Sequence, residues 1–143
     1  MHTLFIVTLL LAVAACFAGS VPFELCSSNF NFEVKNIDRT PVNEFHRGQI
    51  VNATITGQLK NTVKSAKLQN SVYKLGVKVS SDTFDICKVV SCPIAPGKIS
   101  VKLPGQKVPD LTPPGEYTTE HILVDDAGVI NSCVKLKFTV KLL

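Results

Sequence analysis

Tryptophan is absent from this 143-residue chain, methionine occurs only at position 1, and of three histidines His2 falls in an apolar leader. Beyond that leader only His46 and His121 remain as histidines. There is no Gly-x-Ser-x-Gly elbow, and Asp125 and Asp126 are adjacent, so in a strand they would face opposite ways and instead read as the start of a turn. No nucleophile, base and oxyanion donor can be assembled from such residues, so the chain reads as a non-enzyme without cofactor or metal. Charged residues make up only 18% of the chain, with a net charge of +4. The lysines form stripes, Lys135, Lys137 and Lys141 in one and Lys98 and Lys102 in another, without interleaved aromatics. Nucleic acid is therefore not an expected partner, while contact with an anionic membrane surface remains open. No helical hydrophobic period occurs beyond the leader.

The leader itself is an unbroken apolar run over residues 4–18, short of the roughly 20 residues a membrane-spanning helix needs. Small residues, Ala18-Gly19-Ser20, follow it. The pattern predicts a secretory signal over 1–20, cut after about Ser20, and one domain over 21–143, secreted or in the endolysosomal lumen. Lys and Arg are missing from the n-region. A competing lipoprotein reading, in which Val13-Ala-Ala-Cys16 would make Cys16 the lipidated residue, leans on the basic n-region that is missing.

The domain then keeps Cys26, Cys87, Cys92 and Cys133. An even number in a small secreted chain implies disulfides, and four cysteines allow three pairings. Cys87 and Cys92 are close in sequence with Pro93 next to the second, which favours a local bridge and leaves Cys26 for Cys133. A zinc site of four cysteines would need two close pairs, and only one is present.

Alternation dominates what remains. Val134, Leu136, Phe138, Val140 and Leu142 oppose Lys135, Lys137, Thr139 and Lys141, the period of a half-buried strand. With the run from Tyr117 to Leu123 and the Asp-Asp-Ala-Gly turn between them, this is a hairpin signal. Phe30 to Ile37, Val51 to Leu59, Tyr73 to Val79 and Lys98 to Leu103 alternate too, the last with Ile99, Val101 and Leu103 inward. Asn52-Ala53-Thr54 is an N-glycosylation sequon on the polar face of the second of these runs. Residues 60–67 read as a polar connection, 81–97 as an oddly apolar cystine loop, and 104–115, with four prolines, as irregular. Together these predict an all-β, antiparallel sandwich of about seven strands.

Alternating strands ordinarily close on a solid core. Here the inward positions are rich in Val, Ala, Ile, Gly and Thr, and Thr119 and His121 interrupt the apolar face shared by Tyr117 and Leu123. Few large side chains are available to fill the centre, so a slot between the sheets competes with the solid core.

The pattern Cys26, Cys87-x4-Cys92-Pro93-Ile94, Lys98 to Leu103 with Pro104, and Pro113-Pro-Gly-x-Tyr117 with Asp126-x-Gly128-x-Ile130-x-x-Cys133 resembles the ML lipid-recognition domain family across the domain. Within it, the resemblance is to phosphatidylglycerol/phosphatidylinositol transfer proteins and to the Niemann–Pick type C soluble sterol carrier. It implies an immunoglobulin-like sandwich with a lipid cavity between the sheets, Cys26–Cys133 and Cys87–Cys92 bridges, and a monomer that moves phosphatidylglycerol or phosphatidylinositol between membranes. Sterol transport, or a lipid-sensing module that contacts a receptor, is the alternative. The sterol carrier has a third, early bridge that this chain lacks and a Trp where His121 stands. The lipid-contacting lining expected on this basis is Phe32, Val51, Ile55, Tyr73, Leu75, Val77, Val101, Leu103, Tyr117, Leu123, Leu136, Phe138 and Val140, and the mouth is Phe84, Ile94, Val108 and Leu111.

Overall fold

The computed structural model describes residues 19–142, so the apolar run at 4–18, and with it most of the expected signal, lies outside the described residues. The elements are β1 (Gly19–Ser20), β2 (Glu24–Leu25), β3 (Phe32–Thr40), β4 (Glu44–His46), β5 (Ile50–Leu59), β6 (Ala66–Lys74), β7 (Val77–Asp85), a single 3-10 turn (Ile86–Lys88), β8 (Gly97–Lys102), β9 (Gln106–Lys107), β10 (Gly115–Asp125) and β11 (Ile130–Lys141). Seven strands have six or more residues, matching the expected number, and the other four have two or three.

One sheet runs β1-β3-β5-β8, with β9 also on β5; the other runs β2-β11-β10-β6-β7, with β4 on β11. Every pairing is antiparallel except β4 with β11. The β10–β11 hairpin sets Tyr117 opposite Phe138, Thr119 opposite Leu136 and His121 opposite Val134, all directed between the sheets. Its turn forms as the Asp-Asp-Ala-Gly signal requires. Asp125 Oδ1 accepts from the Ala127 and Val129 amides at 3.0 and 2.9 Å, which holds its carboxyl below the usual range, and Gly128 takes the positive φ of 80°.

Two local irregularities redirect side chains. A bulge in β3 between Val34 and Asn36 lets Phe32 and Val34, then Ile37 and Arg39, all face inward, and all four are buried. Gly57, opposite Val34, leaves room for the Phe32 ring, which a Cβ there would meet at 2.8 Å. The second irregularity corrects an expectation. Tyr73 to Val79 is not one strand, because Leu75 and Gly76 form a two-residue turn between β6 and β7 with φ of 50° and 78°. Positive φ at both positions is what a type I′ hairpin requires. The strand before it begins at Ala66, at the end of the stretch 60–67 expected as a connection and a strand edge, with Ala66 and Leu68 buried, and β7 takes residues 81–85 from the expected cystine loop.

The four cysteines form Cys26–Cys133 and Cys87–Cys92 bridges with Cα separations of 5.3 and 5.5 Å. Cys26, Glu120 and Cys133 lie within 4.8 Å of one another, but the bridge removes both thiolates as metal ligands. In the chain-entropy account the longer bridge, spanning 107 residues, stabilises by about 4–5 kcal/mol and the shorter by about 2.

A slot between the sheets

The interior divides into an aliphatic half and an aromatic half. In the aliphatic half, Phe32, Val34, Ile55, Leu59, Ile99, Val101 and Leu103 from the first sheet face Leu68, His121, Leu123, Ser132 and Val134 from the second, with Val63, Ile86 and Ile94 closing the end. The closing segments are clipped together: Ile94 N–H donates to Val63 O at 2.7 Å and Val63 N–H to Ile94 O at 3.1 Å. Between these walls is a void of about 40 Å³, near the roughly 30 Å³ one water occupies in the liquid and far below the roughly 300–1,000 Å³ of ligand pockets. The slot is thus narrow, with far less free space than an acyl chain fills.

His121 is the one titratable group on the slot wall. Its Nδ1 lies 2.6 Å from Asn70 Oδ1 and its Nε2 3.1 Å from Thr119 Oγ1. The Asn oxygen only accepts, so Nδ1 carries the proton and Nε2 accepts from the Thr119 hydroxyl. Burial, reinforced by the Arg39 charge, lowers its pKa to about 4, with Asp82 opposing weakly. The ring is neutral at pH 7 with both nitrogens engaged, and it presents carbon to the slot. With Ser132 as its only other polar side chain among those lining the slot, the wall is almost wholly apolar.

The aromatic half is built differently. Phe138 stacks between Phe45 and Tyr117, with ring centroids 4.6 and 5.1 Å away, and Val108 and Val140 pack around them. Tyr117 hydroxyl donates to Pro113 O at 2.6 Å. Arg39, reaching inward from β3, donates from Nε to Val42 O and from a terminal nitrogen to Lys137 O, both at 2.7 Å, and lies over the Phe45 ring at 5.0 Å. It ties β3 of one sheet to β11 of the other. Among the described residues no carboxylate pairs with it, and burial lowers its pKa to about 10. Arg39 and Asn70 are site residues that sequence reasoning missed. A bulge hid the first, and the shifted phase of β6 hid the second.

The expected lining residues are accordingly split. Phe32, Ile55, Val101, Leu103 and Leu123 come together on the slot, joined by Ile94 from the expected mouth. Leu136 packs in the adjoining core and Phe84 beside the slot. Val51, Tyr117, Phe138 and Val140, with Val108 from the mouth, belong to the aromatic half, because their strands continue past the slot. Tyr73 pairs with Thr118 and Lys78 on the outer face, and Leu75 and Val77 sit exposed at the hairpin turn, as does Leu111 on the proline segment. These four do not line the slot. A wider hollow of about 760 Å³ crosses that outer face past Tyr73, Glu116, Thr118, Glu120, Lys135 and Lys137. It is open to water and carries both signs of charge, so it suits an acyl chain poorly.

The ML domain family model matches residues 20–140. The chain belongs to the ML domain family. An MD-2-related lipid-recognition protein, ROSY1 of Arabidopsis thaliana, is 28% identical over 142 residues, covering 94% of this chain and 87% of that protein. A phosphatidylglycerol/phosphatidylinositol transfer protein of Eremothecium gossypii is 28% identical over 123 residues, 78% of this chain and 57% of that longer protein. Among solved structures, a Niemann–Pick type C2 protein from the Japanese carpenter ant superposes with a TM-score of 0.72 at 20% identity, covering 84% of this chain and 99% of that one. Chicken MD-1, complexed with lipid IVa, gives 0.53 at 14% identity, covering 86% and 99%. At those identities the superpositions establish a shared ML sandwich. The slot is the space between the two sheets of that sandwich, narrowed by aliphatic side chains.

Proposed function

We propose that this ML protein is a secreted, monomeric carrier that holds the hydrocarbon of one lipid between its sheets and moves it between membranes, with phosphatidylglycerol or phosphatidylinositol as cargo. The observation that carries the reading is the apolar slot of the aliphatic half, whose only titratable wall residue is neutral and bonded away from it. Membership of a lipid-recognition family and the fungal relative's name supply the cargo class, and the apolar leader and two disulfides support the secretory route. Asn52 is exposed on β5, open to a glycan.

Loading needs no covalent step. Parting the sheets exposes apolar walls that the lipid's own chain covers, and each methylene kept from water is worth about 0.8 kcal/mol. Transfer is then a partition between two apolar phases, a bilayer and a slot.

The test is transfer from donor to acceptor vesicles of labelled phosphatidylglycerol, phosphatidylinositol, phosphatidylcholine and a sterol. Movement of the first two above the protein-free blank is the expected result. Movement of sterol alone reassigns the cargo to sterol, and no movement of any lipid, with a lipid-free purified protein, favours a receptor-contacting module instead.

A further inference from the structure

Two polar side chains line the slot, His121 and Ser132, and only one of them is satisfied. Both ring nitrogens of His121 are engaged, by Asn70 and Thr119. Ser132 stands on β11 opposite Leu123 and is 5% exposed, yet its hydroxyl makes no hydrogen bond among the described residues. Its position is fixed on both sides. Asn131 is buried, its amide donating to Val129 O at 3.0 Å and to Asp125 Oδ2 at 3.2 Å, and its oxygen accepting from Asn31 Nδ2 at 2.7 Å. Cys133, on the other side, is bridged to Cys26. A hydroxyl on backbone held at both neighbours is preorganised for a partner that enters the slot.

Left alone, that hydroxyl is unfavourable, because it has given up its hydrogen bonds with water and gained none. A water molecule in the void beside it is a poor substitute. Buried waters ordinarily make about three hydrogen bonds, and the side chains lining the slot offer one, from Ser132. An oxygen carried in on hydrocarbon suits the place better, since its chain covers the aliphatic walls while the oxygen accepts from the hydroxyl.

The surrounding charge indicates which oxygen. Among the described residues no Lys or Arg lines the slot, and Arg39 gives its hydrogen bonds to Val42 O and Lys137 O in the aromatic half. A phosphate or free carboxylate beside Ser132 would be buried without a counter-charge, a cost that one neutral hydroxyl does not offset. In a glycerophospholipid the neutral acceptor attached directly to the hydrocarbon is the acyl ester carbonyl. We propose that Ser132 is a specificity-determining residue of the slot, donating to an ester carbonyl of the cargo and so favouring acyl esters over lipids whose chains are joined by ether links. The inference deepens the carrier reading and rests on it.

The experiment exposes the protein to vesicles holding equal amounts of diester and diether phosphatidylglycerol of the same chain length, and quantifies the bound lipid by mass spectrometry. Wild type is expected to take the ester form over the ether form by roughly three- to tenfold. Ser132→Ala should bring the two to parity while its melting temperature stays at or above that of wild type, since no hydrogen bond is lost. Ser132→Gly, which also removes the hydroxyl, gives the same reading should the alanine variant fold poorly. A serine that serves packing alone would leave the ratio unchanged in both variants. Parity in wild type, or an ester preference that survives loss of the hydroxyl, overturns the proposal and leaves the carrier reading standing. Uptake of neither lipid by wild type removes the carrier reading and the inference with it.

Discussion

The two halves of this sandwich share the same pairs of strands and close in opposite ways. At one end, three stacked rings and a buried guanidinium bonded to carbonyls of both layers set the sheet spacing by directional contacts. At the other, aliphatic side chains from both sheets meet around a void of about 40 Å³, and the directional contact between the layers there is the single bond from Asn31 Nδ2, just before β3, to Asn131 Oδ1 of β11 at 2.7 Å. Stacking and charged hydrogen bonds are lost at once when sheets move, whereas aliphatic contacts can be exchanged for contacts with a lipid chain of the same chemistry. On the proposed carrier reading, the aromatic half would be the hinge and the aliphatic half the part that opens.

The largest effect is expected at the hinge. Phe45→Ala removes a buried ring from the stack, and urea unfolding should show a loss of about 3–5 kcal/mol, with the remaining folded protein still taking up lipid. If uptake falls in step with the ring while stability holds, the division into hinge and opening half is wrong.

Next in size is the pH dependence of His121. Its folded pKa of about 4 lies below its ordinary 6.5, so the unfolded chain binds the extra proton more readily. The stability it contributes is complete above about pH 6.5 and is lost as pH falls through that value toward 4, up to about 3 kcal/mol in all. The groups that face it are Arg39 from β3, which depresses the pKa further, and Asp82 from β7, which raises it. Unfolding measured at pH 7 and 4.5 should show this slope in wild type and a flatter one in His121→Gln. An identical slope in both would place the titration elsewhere.

The smallest effect on stability belongs to Val101→Phe on the slot wall. The added ring fills the existing void and presses on its walls, so the cost should be about 1–3 kcal/mol, yet lipid uptake should be lost. Retained uptake would mean that the hydrocarbon lies somewhere other than between Val101 and Leu123.

Much of this was readable from residues alone, and the failures have physical causes. Strict alternation from Val134 to Val140 and from Tyr117 to Leu123 identified inward faces correctly, because one buried face imposes a period of two, but Leu142, placed on the same face, lies past the end of β11 and is exposed. The bulge after Val34 breaks that period, so alternation along β3 gives no sign that Arg39 is buried. At Tyr73 to Val79 the opposite happened. Alternation ran unbroken across a two-residue turn, and Leu75 in the left-handed region gave no compositional warning, unlike an Asn-Gly pair. The split into two halves was not legible, since it depends on which ring on β4 meets which ring on β11, a contact between distant segments that no local pattern encodes.

The central claim is that lipid lies in the aliphatic half. Its most direct test is a phosphatidylglycerol with a photoreactive diazirine in the acyl chain, irradiated in the protein and mapped by peptide mass spectrometry. The account predicts crosslinks at Ile55, Val101, Leu103, Leu123 and Val134. Crosslinks concentrated at Phe45, Phe138 and Tyr117, or on the outer face at Tyr73 and Lys137, would contradict it.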